Sequence, residues 1–186
     1  MINFKANYVD KTNITYFNNN QSHPKEVSFV RINPLSKSDI VALRKVNDLW
    51  GKSEYGWKIY DSVSGLYWDN VDPEDRDFFA LTTQENEFEK LKPESILALC
   101  SISLRTVGSK YINYLQVIPK FMHDNREKLT DGLSGIGSAM LSALKDKFKN
   151  KSILLHASNN NNVKFYLKNG FELINKDTKY MAYIRK

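Results

Sequence analysis

The chain has 186 residues and a formal net charge of +6, with 41% apolar and 26% charged residues. This length is enough for one buried core, and the composition is that of an ordinary globular protein, which excludes a disordered or fibrous protein. The apolar stretches are too short to span a membrane, and the start lacks the basic end and apolar run of a secretory signal. We therefore expect one cytoplasmic domain over residues 1–186, with no membrane contact.

The first part of the chain predicts a strand and a helix behind an irregular start. Residues 1–26 are rich in asparagine and contain only short alternating runs, so we interpret them as an irregular lead-in that could include edge strands. Residues 27–32 alternate like a strand, and residues 33–50 place apolar side chains at helical spacing behind the capping candidates Ser36 and Ser38. Residues 51–77 indicate a short helix or loop system before a strand at 78–84.

The middle of the chain predicts an antiparallel hairpin. Two apolar runs, at 96–104 and 111–118, are separated by a loop that contains Gly108. Pro119 cannot donate to a sheet ladder, so it should end the second strand. Cys100 lies inside the first run and, as the only cysteine, excludes an internal disulfide framework. We expect it to be an inert core residue rather than a nucleophile.

The remaining residues predict two helices and three strands. Residues 135–148 have apolar side chains on one helical face, and lysines gather in the last turn, where the helix dipole favours cations. A short strand at 152–158 precedes a helix at 159–169 that Gly170 closes, and two strands follow. This order predicts an α/β (α+β) fold with a mixed sheet flanked by helices rather than a doubly wound parallel sheet.

Three glycines, Gly132, Gly135 and Gly137, surround the start of the strongest predicted helix. Glycine lets the backbone approach a ligand, and the first free amides of a helix attract phosphate oxygens, so a diphosphate would fit there. Alone the pattern is weak, because glycines at helix starts are often only turn residues. The spacing is not that of a dinucleotide-binding fingerprint, and the P-loop sequence is absent.

Charge and histidines add little to this pattern. Residues 145–186 carry ten Lys or Arg against three acidic residues, which can attract a polyanion or simply form a solvated face. A nucleic-acid site needs exposed aromatic residues among basic ones, whereas those in this segment fit helix packing better, so no nucleic-acid partner is expected. His23, His123 and His156 show no metal-ligand spacing, so no metal site is predicted.

Residues 96–186 resemble the GCN5-related N-acetyltransferase (GNAT) family in three motifs. These are LQVIPKF at 115–121, GLSGIGSAML at 132–141 and NNNNVKFYLKNGF at 159–171. The third is the most specific, since Asn159, Phe165, Tyr166, Gly170 and Phe171 all fall at the family's spacings.

The chain departs from the family in two ways. Gly132 replaces the Gln or Arg that begins the glycine motif, and the link from Pro119 to Gly135 is longer than usual. One donor to the diphosphate is thus missing, and Lys120, Arg126 or Lys128 could replace it.

The resemblance implies a mostly antiparallel central sheet of about seven strands, splayed at the cofactor site. It implies acetyl-CoA as the acyl-donor co-substrate, with no metal. Backbone groups of Val117 and Ile118 would contact the pantetheine arm, and Asn159 would bond it or cap its own helix. Phe165 is also expected to bind the cofactor. The amides that would hold the diphosphate belong to Leu133, Ser134, Gly135, Ile136, Gly137 and Ser138.

The implied function is N-acetyl transfer from acetyl-CoA to a primary amine of a small molecule or peptide by direct attack, with Tyr166 protonating the leaving thiolate. The general base is not assigned, and a homodimer is allowed. The alternative is a catalytically silent module of the same fold that binds CoA or a protein partner. An acidic run could attract a cationic acceptor or be merely solvated: Asp69, Asp72, Glu74, Asp75 and Asp77. Six aromatic residues could wall the acceptor site or belong to the core: Trp50, Tyr55, Trp57, Tyr60, Tyr67 and Trp68.

Overall fold

Nine strands and four α-helices make up the part of the chain that the computed structural model describes, residues 7–18, 21–51, 53–69, 75–106, 108–121 and 132–184. The N-terminal half contains β1 (Asn7–Asn18), β2 (Gln21–Ile32), α1 (Lys37–Leu49), α2 (Glu54–Trp68), β3 (Arg76–Thr82) and β4 (Ile96–Thr106). The C-terminal half contains β5 (Ser109–Val117), β6 (Gly132–Ser134), α3 (Ile136–Lys147), β7 (Ser152–His156), α4 (Asn160–Lys168), β8 (Glu172–Asn175) and β9 (Tyr180–Tyr183). None of these helices is long and apolar enough to cross a membrane.

The strands form one sheet in the order β6-β1-β2-β3-β4-β5-β7-β9-β8. Every neighbouring pair is antiparallel except β5 and β7, which run parallel. The parallel pair is short, with Ser109–Tyr111 opposite Ser152–Leu154. Beyond these residues β5 continues to Val117 and β7 to His156 without pairing with each other. The sheet therefore splits between β5 and β7, which confirms the predicted mixed, mostly antiparallel and splayed architecture.

Helices cover both faces of the sheet. Adjacent residues of β3 show this, because Phe78 packs in the core under α1 and α2, whereas Phe79 packs in the core under α3. Both side chains are at most 1% exposed. Cys100 is fully buried in the α3-side core, and this burial raises the pKa of its thiol, so the group stays protonated and inert as expected.

The expectation of an irregular lead-in at residues 1–26 is corrected by the structure. Residues 7–18 form β1 and pair with β2 from Asn7 opposite Arg31 to Asn18 opposite Gln21. The strand pattern is faint because residues 21–26 are all exposed, so no buried face imposes alternation on the sequence. With β1 and β6 included, the sheet has nine strands rather than the expected number of about seven.

The aromatic segment after α1 forms a fifteen-residue helix, α2, rather than a short helix or loop. Gly56, Ile59 and Val63 are buried at helical spacing, although two glycines made this segment look like a loop. A Cβ on Gly56 would lie 3.4 Å from Trp50 Cε3, so this glycine allows α2 to pack against the end of α1.

Candidate cofactor and acceptor site

Three predicted elements meet beside the split in the sheet: the start of α3, the end of β5 and the middle of α4. A Cβ placed on Gly137 would lie 3.0 Å from Phe165 Cζ and 3.6 Å from Val117 Cγ2. Such a short distance shows that the backbone of α3 touches the Phe165 ring with no space for a side chain between them. The glycine therefore fixes the start of α3 next to the end of β5, which pairs with β4 but not with β7.

The start of α3 is open toward solvent. Gly135 is its N-cap, with φ +74° and ψ 7°, and no side chain caps the helix there. By contrast, Ser36 caps α1 and Asn159 caps α4 through their side-chain oxygens. A Cβ on Gly135 would meet no heavy atom within 4 Å. Because the first amides of a helix lack intrahelical acceptors and form its positive end, this turn is suited to an anion.

The segment before Gly135 is a strand that the sequence did not predict. Gly132, Leu133 and Ser134 pair with Phe17, Tyr16 and Thr15 of β1. Gly132 has φ 145°, a backbone conformation that side-chain-bearing residues rarely adopt. The position that carries Gln or Arg in the GNAT motif thus serves here as a strand glycine. The N-terminal hairpin holds the glycine turn in place through this pairing.

A groove of about 620 Å³ lies between β1, α3 and the end of α4. Its lining includes the polar residues Thr12, Thr15, Ser138, Ser142 and Lys168, together with Gly135. Sequence reasoning missed the two threonines, because residues 1–26 carried no periodic signal and the pairing of β1 with β6 joins distant parts of the chain.

Lys145 fastens α3 to the end of α4. Its Nζ donates a hydrogen bond to the Asn169 carbonyl and lies 4.5 Å from the ring centre of Tyr183 and 5.4 Å from that of Phe171. Burial lowers the pKa of this ammonium group, although neighbouring Asp146 opposes the shift. The Lys145 side chain therefore packs against the end of α4 and the rings of Tyr183 and Phe171. Lys168, by contrast, is an exposed cation of the groove.

Tyr166 lies on α4 between two aromatic rings, with its ring centre 5.1 Å from that of Phe165 and 5.5 Å from that of Phe171. Burial is the main cause that raises the pKa of its hydroxyl, and Cys100, Tyr55 and Tyr111 raise it further. The hydroxyl is therefore protonated at neutral pH, as a proton donor must be.

Three of the other predicted cofactor residues, Asn159, Ile118 and Val117, already form hydrogen bonds within the protein. The Asn159 side-chain oxygen accepts from the Asn162 amide at 2.9 Å, which is the capping role of the two roles considered. The Ile118 amide donates to the Leu97 carbonyl at 2.8 Å. The Val117 carbonyl accepts from the Gln116 side chain at 2.7 Å, a contact that the sequence did not indicate. A pantetheine arm along β5 would therefore have to use other backbone groups or displace these partners.

The aromatic residues considered for the acceptor site separate into three sets. Trp50 is buried, and Tyr60 and Tyr67 pack against the same core under α1 and α2. Tyr55 instead stacks on Tyr114 of β5, with ring centres 5.9 Å apart. Trp57 and Trp68 are exposed, Trp68 to 77%.

Lys58 lies against the Tyr55 and Tyr114 pair. Its Nζ is 5.5 Å and 5.7 Å from the two ring centres and 2.9 Å from the Glu54 carboxylate. The hydrogen bond that Lys58 donates to Glu54 is the largest cause that raises the pKa of the Lys58 ammonium group. Tyr55 and Tyr114 therefore present aromatic faces beside the split, and the charge of Lys58 next to them is balanced by Glu54.

Of the acidic run, the described residues are Asp69, Asp75 and Asp77, and Asp77 forms two ion pairs. Asp77 pairs with Arg31 at 2.8 Å and with Lys110 at 2.9 Å, so its charge is compensated. Asp69 follows the end of α2 and is exposed, and Asp75 contributes a backbone carbonyl to Leu104. Asp72 and Glu74 lie outside the described residues.

The proposed replacement cations are only partly described. Lys120 is exposed on the short turn at Pro119–Phe121, whereas Arg126 and Lys128 lie outside the described residues, as does His123. Within the described part of the chain, no three His, Cys, Asp or Glu residues cluster as metal ligands would.

Comparison with known proteins matches the chain to solved structures only at the level of the fold. No protein-family model and no curated protein match it. A putative acetyltransferase of the GNAT family from Desulfovibrio desulfuricans has a TM-score of 0.53 at 15% identity, covering 84% of this chain and 94% of the other. Ard1 from Thermoplasma volcanium has a TM-score of 0.50 at 17% identity, covering 84% and 95%. A protein from Pyrococcus horikoshii OT3 has a TM-score of 0.52 at 17% identity, covering 86% and 99%. The chain therefore has the fold seen in GNAT acetyltransferases.

Proposed function

We propose that this protein is an N-acetyltransferase that moves an acetyl group from acetyl-CoA to a primary amine. The observation that carries the proposal is the contact of Gly137 with Phe165 and Val117, which sets the uncapped start of α3 beside the split between β5 and β7. A helix start attracts phosphate, and the end of β5 beyond Tyr111 does not pair with β7, so a ligand would lie along that edge of the strand. An elongated thioester with a diphosphate would use both features together.

The residues of this chain would bind the donor in three parts. Amides from Leu133 to Ser138 would hold the diphosphate at the positive end of α3. The edge of β5 near Val117 and Ile118 would run along the pantetheine arm, with Asn159 and Phe165 on the opposite side. Thr12, Thr15 and Lys168 would supply polar contacts in the groove, which offsets the donor lost at Gly132.

Acetyl transfer would proceed by direct attack without a covalent enzyme intermediate. The neutral amine attacks the thioester carbonyl, and a backbone donor at the split stabilises the oxyanion that develops. The carbon–sulfur bond breaks, and Tyr166 donates its proton to the leaving thiolate. The raised pKa keeps the Tyr166 hydroxyl protonated until the thiolate forms, although the same shift makes this hydroxyl a weaker acid than a free phenol.

Release of free thiol from acetyl-CoA in the presence of a panel of amines tests this function. We expect release with at least one amine and a loss of about 10²-fold or more in kcat for Tyr166→Phe, in the range of general acid catalysis. Tyr8→Phe is the matched control, because this exposed tyrosine stacks on Phe88 far along the sheet and should keep full activity. Turnover that is unchanged in Tyr166→Phe would remove the tyrosine from the mechanism.

A silent CoA-binding module is the second candidate, favoured by Gly132 in place of Gln or Arg. A thermal shift with CoA separates the two functions. A ligand at 100 times its dissociation constant adds ~2.7 kcal/mol to stability. A shift without thiol release supports the silent module, and the absence of both would refute each function.

A further inference from the structure

A tyrosine–histidine pair lies at the point where the sheet divides. The Tyr111 hydroxyl of β5 and His156 Nδ1 of β7 are 2.6 Å apart, the distance of a short hydrogen bond. The Tyr180 ring of β9 packs on the imidazole with ring centres 4.9 Å apart. Three neighbouring strands thus fix the orientation of this one exposed imidazole.

The pair lies on the face of the sheet opposite the glycine turn. Along β7, Ile153 and Leu155 are buried in the α3-side core. Because side chains alternate along a strand, His156 points to the other face, where α1 and α2 pack. Tyr111 is also the last residue of β5 that pairs with β7, opposite Leu154. The imidazole therefore borders the split on the side from which an acceptor would approach a donor bound at α3.

Tyr111 also acts electrostatically on the proposed proton donor. Tyr166 packs against the α3-side core, and Tyr111 is the last of the causes that raise the pKa of the Tyr166 hydroxyl, after burial, Cys100 and Tyr55. The Tyr111 hydroxyl in turn lies within hydrogen-bonding distance of His156, which is exposed to solvent.

We propose that Tyr111 and His156 form a proton relay that deprotonates the acceptor amine, an inference that rests on the acetyltransferase function proposed above. The ammonium form of the acceptor gives one proton to the Tyr111 oxygen while the Tyr111 proton passes to His156 Nδ1. The imidazolium then releases this proton to solvent. Imidazole suits this step because it ordinarily exchanges a proton near neutral pH, whereas a free alkylamine holds its proton up to about pH 10.

The remaining steps balance the reaction. The neutral amine forms a carbon–nitrogen bond to the acetyl carbon, and the carbon–sulfur bond breaks. Tyr166 protonates the thiolate and is reprotonated by the second proton that the nitrogen loses. The products are one amide, one thiol and one proton in solvent. Tyr111 touches the acceptor in this scheme, and His156 acts through Tyr111 as the terminal base.

The pH dependence of kcat/KM in His156→Gln and Tyr111→Phe tests the relay with an alkylamine acceptor. At neutral pH we expect a loss of about 10²-fold to 10⁴-fold, as for other acid–base residues, with recovery at alkaline pH where the amine loses its proton unaided. Among the described residues, the titratable groups in contact with His156 are the phenols of Tyr111 from β5 and Tyr180 from β9. Tyr180→Phe keeps the ring contact and shows whether its hydroxyl contributes to the profile.

A second acceptor separates proton transfer from a structural role. A weakly basic amine, already neutral at pH 7, should be acetylated by His156→Gln as fast as by the unaltered protein. His23→Gln is the matched control, because this exposed histidine lies on β2, opposite Tyr16 of β1, and not on the strands β5, β7 and β9 that carry the pair. CoA should shift the melting temperature of all these variants equally. Equal loss with both amines, or an unchanged pH profile in His156→Gln, would overturn the relay.

Failure of the relay and failure of the proposed function give different results. If the unaltered protein releases no thiol with any amine, the acetyltransferase function fails and the relay fails with it. If the unaltered protein turns over and Tyr166→Phe does not, while His156→Gln keeps the original profile, only the relay is refuted.

Discussion

Replacing Gly137 with alanine perturbs the one contact on which the donor site depends. The new Cβ would lie 3.0 Å from Phe165 Cζ, so the ring would have to move by a few tenths of an ångström. Alanine favours a helix over glycine by up to ~1 kcal/mol, whereas overpacking costs ~1–3 kcal/mol. The net change in the free energy of unfolding should therefore be a loss between about 0 and 2 kcal/mol.

Binding should respond more strongly than stability. The displaced ring shifts α4, and with it Asn159 and Tyr166, away from the start of α3. We expect CoA to bind about tenfold more weakly, which corresponds to ~1.4 kcal/mol. Calorimetric titration with CoA measures the affinity, and urea unfolding measures the stability.

Gly65→Ala is the control for this prediction. A Cβ on Gly65, inside α2, would meet no atom within 4 Å, so this change should stabilise the protein by ~0.5–1 kcal/mol and leave CoA binding unchanged. Adding Phe165→Leu to Gly137→Ala should restore part of the affinity, because it removes the ring that the new Cβ meets. If Gly137→Ala behaves like Gly65→Ala in both assays, the contact between α3 and α4 does not control the donor site.

Two further predictions concern the elements around the groove. Gly132→Arg introduces the residue type of the GNAT motif, but φ 145° is strained for any residue with a side chain. The free energy of unfolding should therefore fall by ~1–3 kcal/mol, and CoA should bind more weakly. Gly132→Ala is the uncharged comparison. Tighter CoA binding by Gly132→Arg would contradict this view of β6. Lys145 has a lowered pKa in the folded protein, so between that pKa and its ordinary value the folded state binds fewer protons than the unfolded state. The free energy of unfolding should therefore rise with pH across this window. Urea titrations at increasing pH should show this rise in the unaltered protein and not in Lys145→Met. An identical pH slope in both proteins would refute it.

Local signals in the sequence determined the helices that carry the motifs. Asn159 caps α4, and Gly170 after its end has φ +77°, as the motif at 159–171 implied. Gly135 adopts the left-handed conformation at the start of α3, where the glycine pattern indicated a turn. These features depend on residues within a few positions of each other, so a reader of the sequence can recognise them.

Only the tertiary structure decided which distant residues share a site. Thr15 pairs with Ser134, and Tyr111 bonds to His156, although each pair is far apart in the chain. Sequence reasoning left the general base unassigned, because neither Tyr111 nor His156 carries a local signal of partnership. The order of strands in the sheet brings them together, and that order follows from burying two apolar cores at once, a property of the whole chain.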